Sequence, residues 1–341
     1  MLRGQAGAML RLLTTEMGDP IMFTLTVRRS RQLLAVLIGV LAPFVANAAY
    51  VLSEFTRPAA AYTQLFDVNN SGQMVGYSFT GAGPTQGFLY NGGTFTSIAG
   101  PAGAFSSAAT GISDGGVIVG SFATSDADPQ QGFIYSGGSY TAFIVAGAIN
   151  TFLRGISPDG RYISGYYSTT SVLGIGFLYD MVSGTLYTNI SQPNSLLTIA
   201  QGVTDAGVLV GSDSISGPPT TRPGFVYDLA TGTRTDVAIA GADRTALRAI
   251  DDAGIIAGWF IDGVVTHGFV GSIASFEQID FLGATATYVE GSNNARLLVG
   301  NYIDDEGNVH AFIAAPVHEP ATLALLSLGL AGLATTRRRR H

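Results

Sequence analysis

The sequence predicts an all-β protein: a six-bladed β-propeller with four-stranded blades, preceded by an N-terminal signal helix and followed by a C-terminal transmembrane sorting helix. Three observations predict the propeller. Two short phrases each recur six times, four strand-like segments fill each interval, and Asp, Asn, Ser and Gly mark the turns. We divide the chain into an upstream extension with a signal peptide at 1–48, six repeats at 49–316 and a sorting signal at 317–341.

The first phrase joins a polar turn to a short apolar strand that closes on glycine, as in VTDAGVLVG at 203–211. Its closing glycines are 42–47 residues apart and are Gly76, Gly120, Gly165, Gly211, Gly258 and Gly300. The second phrase follows each copy and places an aromatic residue before an aliphatic one, at Phe88, Phe133, Phe177, Phe225, Phe269 and Phe312. Four strands at a period of about 40–50 residues are typical of propeller blades.

The second repeat illustrates the four strands. Segments 109–112, 117–122, 132–135 and 140–145 are apolar or β-branched, and turn residues separate them. Alternation along a strand places Phe133 and Tyr135 on one face, where they are expected to pack against the neighbouring blade. The equivalent Phe177 is expected to be buried in the same way.

The two ends of the repeat region predict how the ring closes. The sixth repeat stops at 311–315 without a hairpin partner, and 50–55 resembles an orphan fourth strand ahead of the first repeat. We expect these segments to pair and complete one blade. An open β-solenoid or a β-sandwich is the alternative architecture.

A secretory signal peptide is predicted near the N-terminus. A basic region precedes the apolar run at 33–41, and an Ala-x-Ala site follows it, which is the usual order of such a signal. Because Met22 would place the basic region at the start of the protein, residues 1–21 are interpreted as an upstream start-site artefact. An N-terminal membrane anchor is the alternative. The residues of the basic region and the cleavage site are Arg28, Arg29, Arg31, Ala46, Ala48 and Ala49.

The C-terminus has the form of a sorting signal. A short motif precedes 16 apolar or small residues at 321–336, about 24 Å as a helix, and a basic cluster ends the chain. The arrangement resembles the PEP-CTERM signal, which implies recognition and removal by an exosortase. It departs from the family motif in having histidine at the first position; the alternatives are a tail anchor and an apolar core helix. The residues concerned are His318, Glu319, Pro320, Arg337, Arg338, Arg339 and Arg340.

The repeats themselves resemble the HAF-type repeats of exported bacterial proteins. The literal match is His310-Ala311-Phe312, and Gly-Phe followed by an aliphatic residue takes its place in most other repeats. This resemblance implies an extracellular location and supports the fold.

Composition excludes several classes of function. Residues 49–316 contain 21 Asp and Glu against 8 Arg, a net charge of −13, and lysine is absent from the whole chain. Such a body is not expected to bind nucleic acid or anionic membranes, so neutral glycans, cations or proteins are the expected partners. Because the chain has no cysteine, disulfides, thiolate nucleophiles and Cys-based metal sites are excluded.

Few residues suggest chemistry, and we predict no catalytic set, cofactor or metal site. His267 and His310 are interpreted as exposed loop residues. Asp67 begins a segment that resembles a calcium loop but lacks its acidic twelfth residue, so we interpret Asp67 as a turn former. Calcium in the acidic segment 304–306 is the alternative.

One register varies while its surroundings repeat. The residue before the Gly, Ala or Asp that precedes each first phrase is Phe66, Thr110, Arg154, Gln201, Arg248 or Glu290. If the first strand of each blade is innermost, these side chains converge on the central channel. Arg154, Gln201, Arg248 and Glu290 are then candidates for binding a carboxylated sugar or another small anion. The alternatives are an internal ion pair and exposed edge residues.

These observations predict an exported, non-enzymatic cell-surface or extracellular-matrix protein associated with exopolysaccharide. Its processing partners are the secretion translocase and an exosortase, and it stays at the inner membrane until C-terminal processing. The alternatives are a glycan-binding module and a propeller-type glycan hydrolase or lyase, which would need paired carboxylates at a channel mouth.

Overall fold

The structure is a computed structural model that describes residues 50–192, 195–215 and 222–317. These residues form strands and loops, and they contain no helix that is long and apolar enough to cross a membrane. The predicted signal helix and sorting helix, the cleavage site at Ala46, Ala48 and Ala49, and the sorting motif from His318 onward lie outside the described residues.

The described residues form 24 strands, which begin with β1 (Tyr50–Phe55). Four antiparallel sheets then follow, and in each of them four strands pair in chain order. The first two sheets are β2 (Tyr62–Val68), β3 (Met74–Phe79), β4 (Gln86–Asn91), β5 (Thr94–Ile98) and β6 (Ser106–Ile112), β7 (Ile118–Ala123), β8 (Gln131–Ser136), β9 (Ser139–Phe143). The next two are β10 (Asn150–Ile156), β11 (Tyr162–Ser168), β12 (Ile175–Asp180), β13 (Thr185–Tyr187) and β14 (Ser195–Val203), β15 (Val208–Ile215), β16 (Gly224–Asp228), β17 (Thr233–Val237).

The remaining strands form one sheet, in which two further four-stranded units are joined by a single parallel pair, Thr266 with Ala286. One unit is β18 (Arg244–Ile250), β19 (Ile256–Asp262), β20 (Val265–Ser272) and β21 (Ser275–Ile279). The other is β22 (Ala286–Ser292), β23 (Leu298–Ile303), β24 (Val309–Pro316) and β1. The strands predicted for the second repeat are confirmed to within a few residues.

The predicted pairing of the two ends of the repeat region is confirmed. β1 is antiparallel to β24, with Tyr50 opposite Pro316 and Phe55 opposite Ala311. The first strand of each unit contacts the first strand of the next, and β22 contacts β2, so these strands form a closed circle. An open solenoid would lack the contact between β22 and β2. The arrangement is that of propeller blades around a central channel.

Hydrogen bonds between turns also run around the circle. The turn that follows each first strand donates a backbone N–H to the turn of the next unit. The successive donors and acceptors are Asn70 to Asp114, Asp114 to the Pro158 carbonyl, Asp159 to Asp205, Asp205 to Asp252, Asp252 to Asn294 and Asn294 to Asn70. The repeated Asp and Asn residues therefore connect neighbouring units in addition to forming turns.

One packing contact explains why the two phrases repeat together. A Cβ on Gly120 would overlap the Ala108 carbonyl oxygen and lie 2.8 Å from the Phe133 ring. The closing glycine therefore lets the aromatic ring of the next strand and the backbone of the first strand both pack closely against it. The six repeated phenylalanines are fully buried, which confirms the prediction for Phe133 and Phe177.

Candidate functional site

The six varied residues line one central cavity. Phe66, Thr110, Arg154, Gln201, Arg248 and Glu290 surround it, each from the first strand of a different unit. The cavity encloses about 680 Å³, including the part open to solvent, but only about 60 Å³ can hold the centre of a water-sized molecule. That is room for about four or five waters. The narrow part of the cavity therefore has room for a group of a few atoms.

Arg248 and Glu290 form an ion pair inside this cavity. Arg248 Nε lies 3.3 Å from Glu290 Oε2, and the two side chains are 15% and 11% exposed. The pair lacks hydrogen-bond geometry, because Arg248 Nε has no hydrogen-bond partner. Burial lowers the pKa of Arg248; Glu290 opposes this effect and the charge of Arg154 adds to it. The expected internal ion pair is present, but it uses only one of the two arginines.

The cavity also carries donors without acceptors. Arg154 Nε and Gln201 Nε2 are buried and have no hydrogen-bond partner, and Gln201 is 6% exposed. Arg154 lies over the Tyr166 ring at 5.9 Å, and no carboxylate of the described residues forms an ion pair with it. Buried donors without acceptors are unfavourable unless water or a ligand supplies the acceptor. This side of the cavity therefore has the chemistry of an anion site.

A second group of donors adjoins Arg248. The guanidinium carbons of Arg244 and Arg248 lie 5.0 and 5.4 Å from the centre of the Trp259 ring, and Tyr288 meets that ring edge-on at 5.5 Å. Arg244 Nε and Trp259 Nε1 are buried without a hydrogen-bond partner. Burial and the charges of Arg248 and Arg222 lower the pKa of Arg244.

Three aromatic residues that pack against the cavity-lining side chains were not predicted from the sequence. Tyr77, Tyr166 and Trp259 each follow a closing glycine and pair in register with the inner strand. Tyr77 stacks on Phe66 at 5.5 Å, and burial raises the pKa of Tyr77 to about 12. The sequence contained a clue to them, because the residue after the closing glycine varies between repeats, as the predicted ligand-binding position does.

Asp67 corrects the sequence interpretation. It lies in β2 rather than in a turn, and its carboxylate accepts the N–H of Val68 and of Ile112 in the next unit, both at 2.9 Å. Burial raises the pKa of Asp67 to about 7; the two N–H groups oppose this shift and Asp114 adds to it. Asp67 therefore connects two units at the end of the cavity.

The histidines also differ from the prediction, because both lie in strands. His267 Nδ1 is 2.9 Å from Asp280 Oδ2, and the His267 ring lies 5.1 Å from that of Phe260. His310 Nε2 is 2.9 Å from Asp304 Oδ2, and its ring stacks on Tyr302 at 4.8 Å. Cross-strand pairing places the ring of each histidine against an aromatic residue of the preceding strand, so both histidines are partly buried.

The acidic segment 304–306 brings three carboxylates together. Their ligand oxygens lie within 4.8 Å of one another. Hydrogen bonds from Asn308 and His310 lower the pKa of Asp304 to about 2. Asp304 thus has protein partners within its own hairpin.

Comparison with known proteins gives two findings. Residues 316–340 match the family model described as the PEP-CTERM protein-sorting motif. This match supports an exosortase-sorted protein, and the signal implies export, sorting at the membrane and then a place at the cell surface. No curated protein matches the chain.

The second finding concerns the fold. A putative TolB from Agrobacterium tumefaciens is 11% identical, with a TM-score of 0.52 over 79% of this chain and 98% of that one. The β-propeller domain of a protease from Pyrococcus furiosus is 10% identical, with a TM-score of 0.46 over 76% and 97%. A prolyl endopeptidase is 11% identical, with a TM-score of 0.49; the match covers 79% of this chain but only 43% of the endopeptidase.

Proposed function

We propose that this chain is an exported, non-enzymatic surface or matrix protein that binds an acidic group of an extracellular polysaccharide in its central cavity. Residues 49–316 form a six-bladed propeller of HAF-type repeats in this proposal, between a signal peptide and an exosortase-processed tail. The sorting match at 316–340 supports delivery to the surface.

The binding proposal rests on buried N–H donors that have no hydrogen-bond partner. Six buried side-chain polar atoms in the described ranges have none, and three of them are N–H donors of residues that line the cavity, namely Arg154, Gln201 and Arg248. A body with a charge of −13 gathers these donors at one place. Donors without acceptors fit a ligand rich in acceptors, and a carboxylate offers two oxygens to them.

A non-enzymatic role is favoured by how the carboxylates of the cavity are used. Glu290 faces Arg248, and both oxygens of Asp67 accept backbone N–H groups. Asp114 accepts from Asn70, and Asp251 Oδ1 accepts the N–H groups of Ala253 and Ile255. A glycan hydrolase needs a carboxyl group free to donate a proton and a second one to assist water or attack the sugar.

Replacing Arg154 by glutamine is expected to weaken binding of polygalacturonate by about 10- to 100-fold, because charge-assisted hydrogen bonds are removed. The melting temperature should change little, since the guanidinium forms no ion pair with a carboxylate of the described residues and lies over the Tyr166 ring only at 5.9 Å. Calorimetry and thermal unfolding measure the two effects. Arg161→Gln is the control, because Arg161 pairs with Asp180 away from the cavity. Equal affinity of both variants, or equal binding of the methyl-esterified polymer, would contradict the proposal.

Processing gives a separate expectation. Protein secreted by a host with an exosortase should lack residues up to about Ala48 and those after about Pro320, by analogy with the signals described above. Intact-mass spectrometry measures both ends. A host without the exosortase should leave the C-terminal segment in place. A segment retained in both hosts would indicate a membrane-anchored protein instead.

A further inference from the structure

Two groups of buried donors come from different units, and the second group meets the cavity through Arg248. Arg154 and Gln201 come from β10 and β14, whereas Arg244, Arg248 and Trp259 come from β18 and β19. Each group contains a side chain that is more than nine-tenths buried and has a donor without a partner, namely Gln201 at 6% and Trp259 at 7% exposure. The second group therefore also contains a buried donor that lacks an acceptor.

The second group extends along β18, from Arg248 in the cavity wall to Arg244, which does not line the cavity. Arg244, Ala246 and Arg248 lie on one face of β18, so the backbone positions of the two arginines are about 13 Å apart at ~3.3 Å per residue. Arg248 is near the turn that ends the cavity, and Arg244 is at the opposite end of the strand, beside Ile261. No carboxylate of the described residues forms an ion pair with Arg244. A ligand that fills only the narrow cavity leaves Arg244 and Trp259 of this group without an acceptor.

We propose that Arg244, Trp259 and Arg248 form a second anion subsite, so that the ligand is an oligomer of acidic sugars rather than a single sugar acid. One carboxylate enters the cavity at Arg154 and Gln201, and a carboxylate of a neighbouring sugar meets the donors around Trp259. This inference rests on the proposed function, because it extends the same site.

The single tryptophan of the chain makes the test direct. Galacturonate and trigalacturonate are titrated into the exported protein, with calorimetry for affinity and tryptophan emission for the second subsite. We expect trigalacturonate to bind at least about 10-fold more tightly than the monomer, as one additional charge-assisted contact provides. Trigalacturonate alone should shift the emission of Trp259.

Arg244→Gln should remove both the preference for the trimer and the emission shift while leaving monomer binding unchanged. Arg161→Gln, with the same change in charge outside the channel, should keep both. If Arg244→Gln retains the wild-type ratio of the two affinities, the second subsite is wrong and the proposed function stands. If the wild-type protein binds neither uronate, the proposed function fails, and this inference fails with it.

Discussion

Replacing Phe133 by alanine is expected to lower the free energy of unfolding by about 3–5 kcal/mol. The Phe133 ring is fully buried between the closing glycine of its own sheet and the aromatic rings of Phe122 and Tyr140, at 6.5 and 5.7 Å. The neighbours are held by strand pairing, so they cannot move into the space that the ring leaves. The lost stability then has two contributions: the hydrophobic free energy of burying the ring, and the cost of the cavity that remains.

The matched control is Phe105→Ala, because Phe105 is 40% exposed in a loop and should cost less than about 1 kcal/mol. Urea unfolding measures the free energy of unfolding of both variants, provided that their m-values match that of the wild type. Phe177→Ala, the equivalent change in the next unit, should match Phe133→Ala. A small effect at both buried positions would show that the repeated aromatic residue does not hold the sheets together.

Repetition is the reason why the sheets could be predicted from sequence. A closing glycine followed by a buried phenylalanine reflects a contact within one unit, and six copies of the contact give the same local pattern six times. The pairing of β1 with β24 was predictable for a related reason, because each terminal segment supplied what the other lacked. These features depend on short-range geometry that the sequence repeats.

Contacts between units were harder to predict. Asp67 stands where most other repeats have glycine, and only the fold shows that its carboxylate reaches Ile112. The convergence of Arg154 and Arg248 on one cavity followed from the idea that first strands are innermost. The sequence could not reveal which arginine pairs with Glu290, since that choice depends on side-chain directions across the channel. Trp259 was missed because its position lies in the second strand.

The stability of the protein should fall as the pH rises from about 4 to about 7, through the titration of Asp67. The folded protein holds this carboxyl group at a pKa of about 7, whereas its ordinary value is 3.8. Between these values the folded chain keeps a proton that the unfolded chain has lost, so a rise in pH favours unfolding. Three pKa units correspond to about 4 kcal/mol, an order-of-magnitude figure.

Asp67→Asn isolates this contribution, because asparagine does not titrate. Near pH 4 the hydroxyl oxygen of protonated Asp67 can still accept the second of the two N–H groups of Val68 and Ile112, whereas the NH2 group of asparagine is only a donor, so the variant should be about 1–3 kcal/mol less stable than the wild type. As the pH rises to 8, the wild type should lose this advantage and become the less stable of the two. Urea unfolding of both proteins across the pH range measures the difference, and Asp262→Asn, which removes an exposed carboxylate, controls for net charge. A difference that stays constant with pH would mean that the N–H groups of Val68 and Ile112 hold Asp67 ionised throughout, and that burial does not set its protonation.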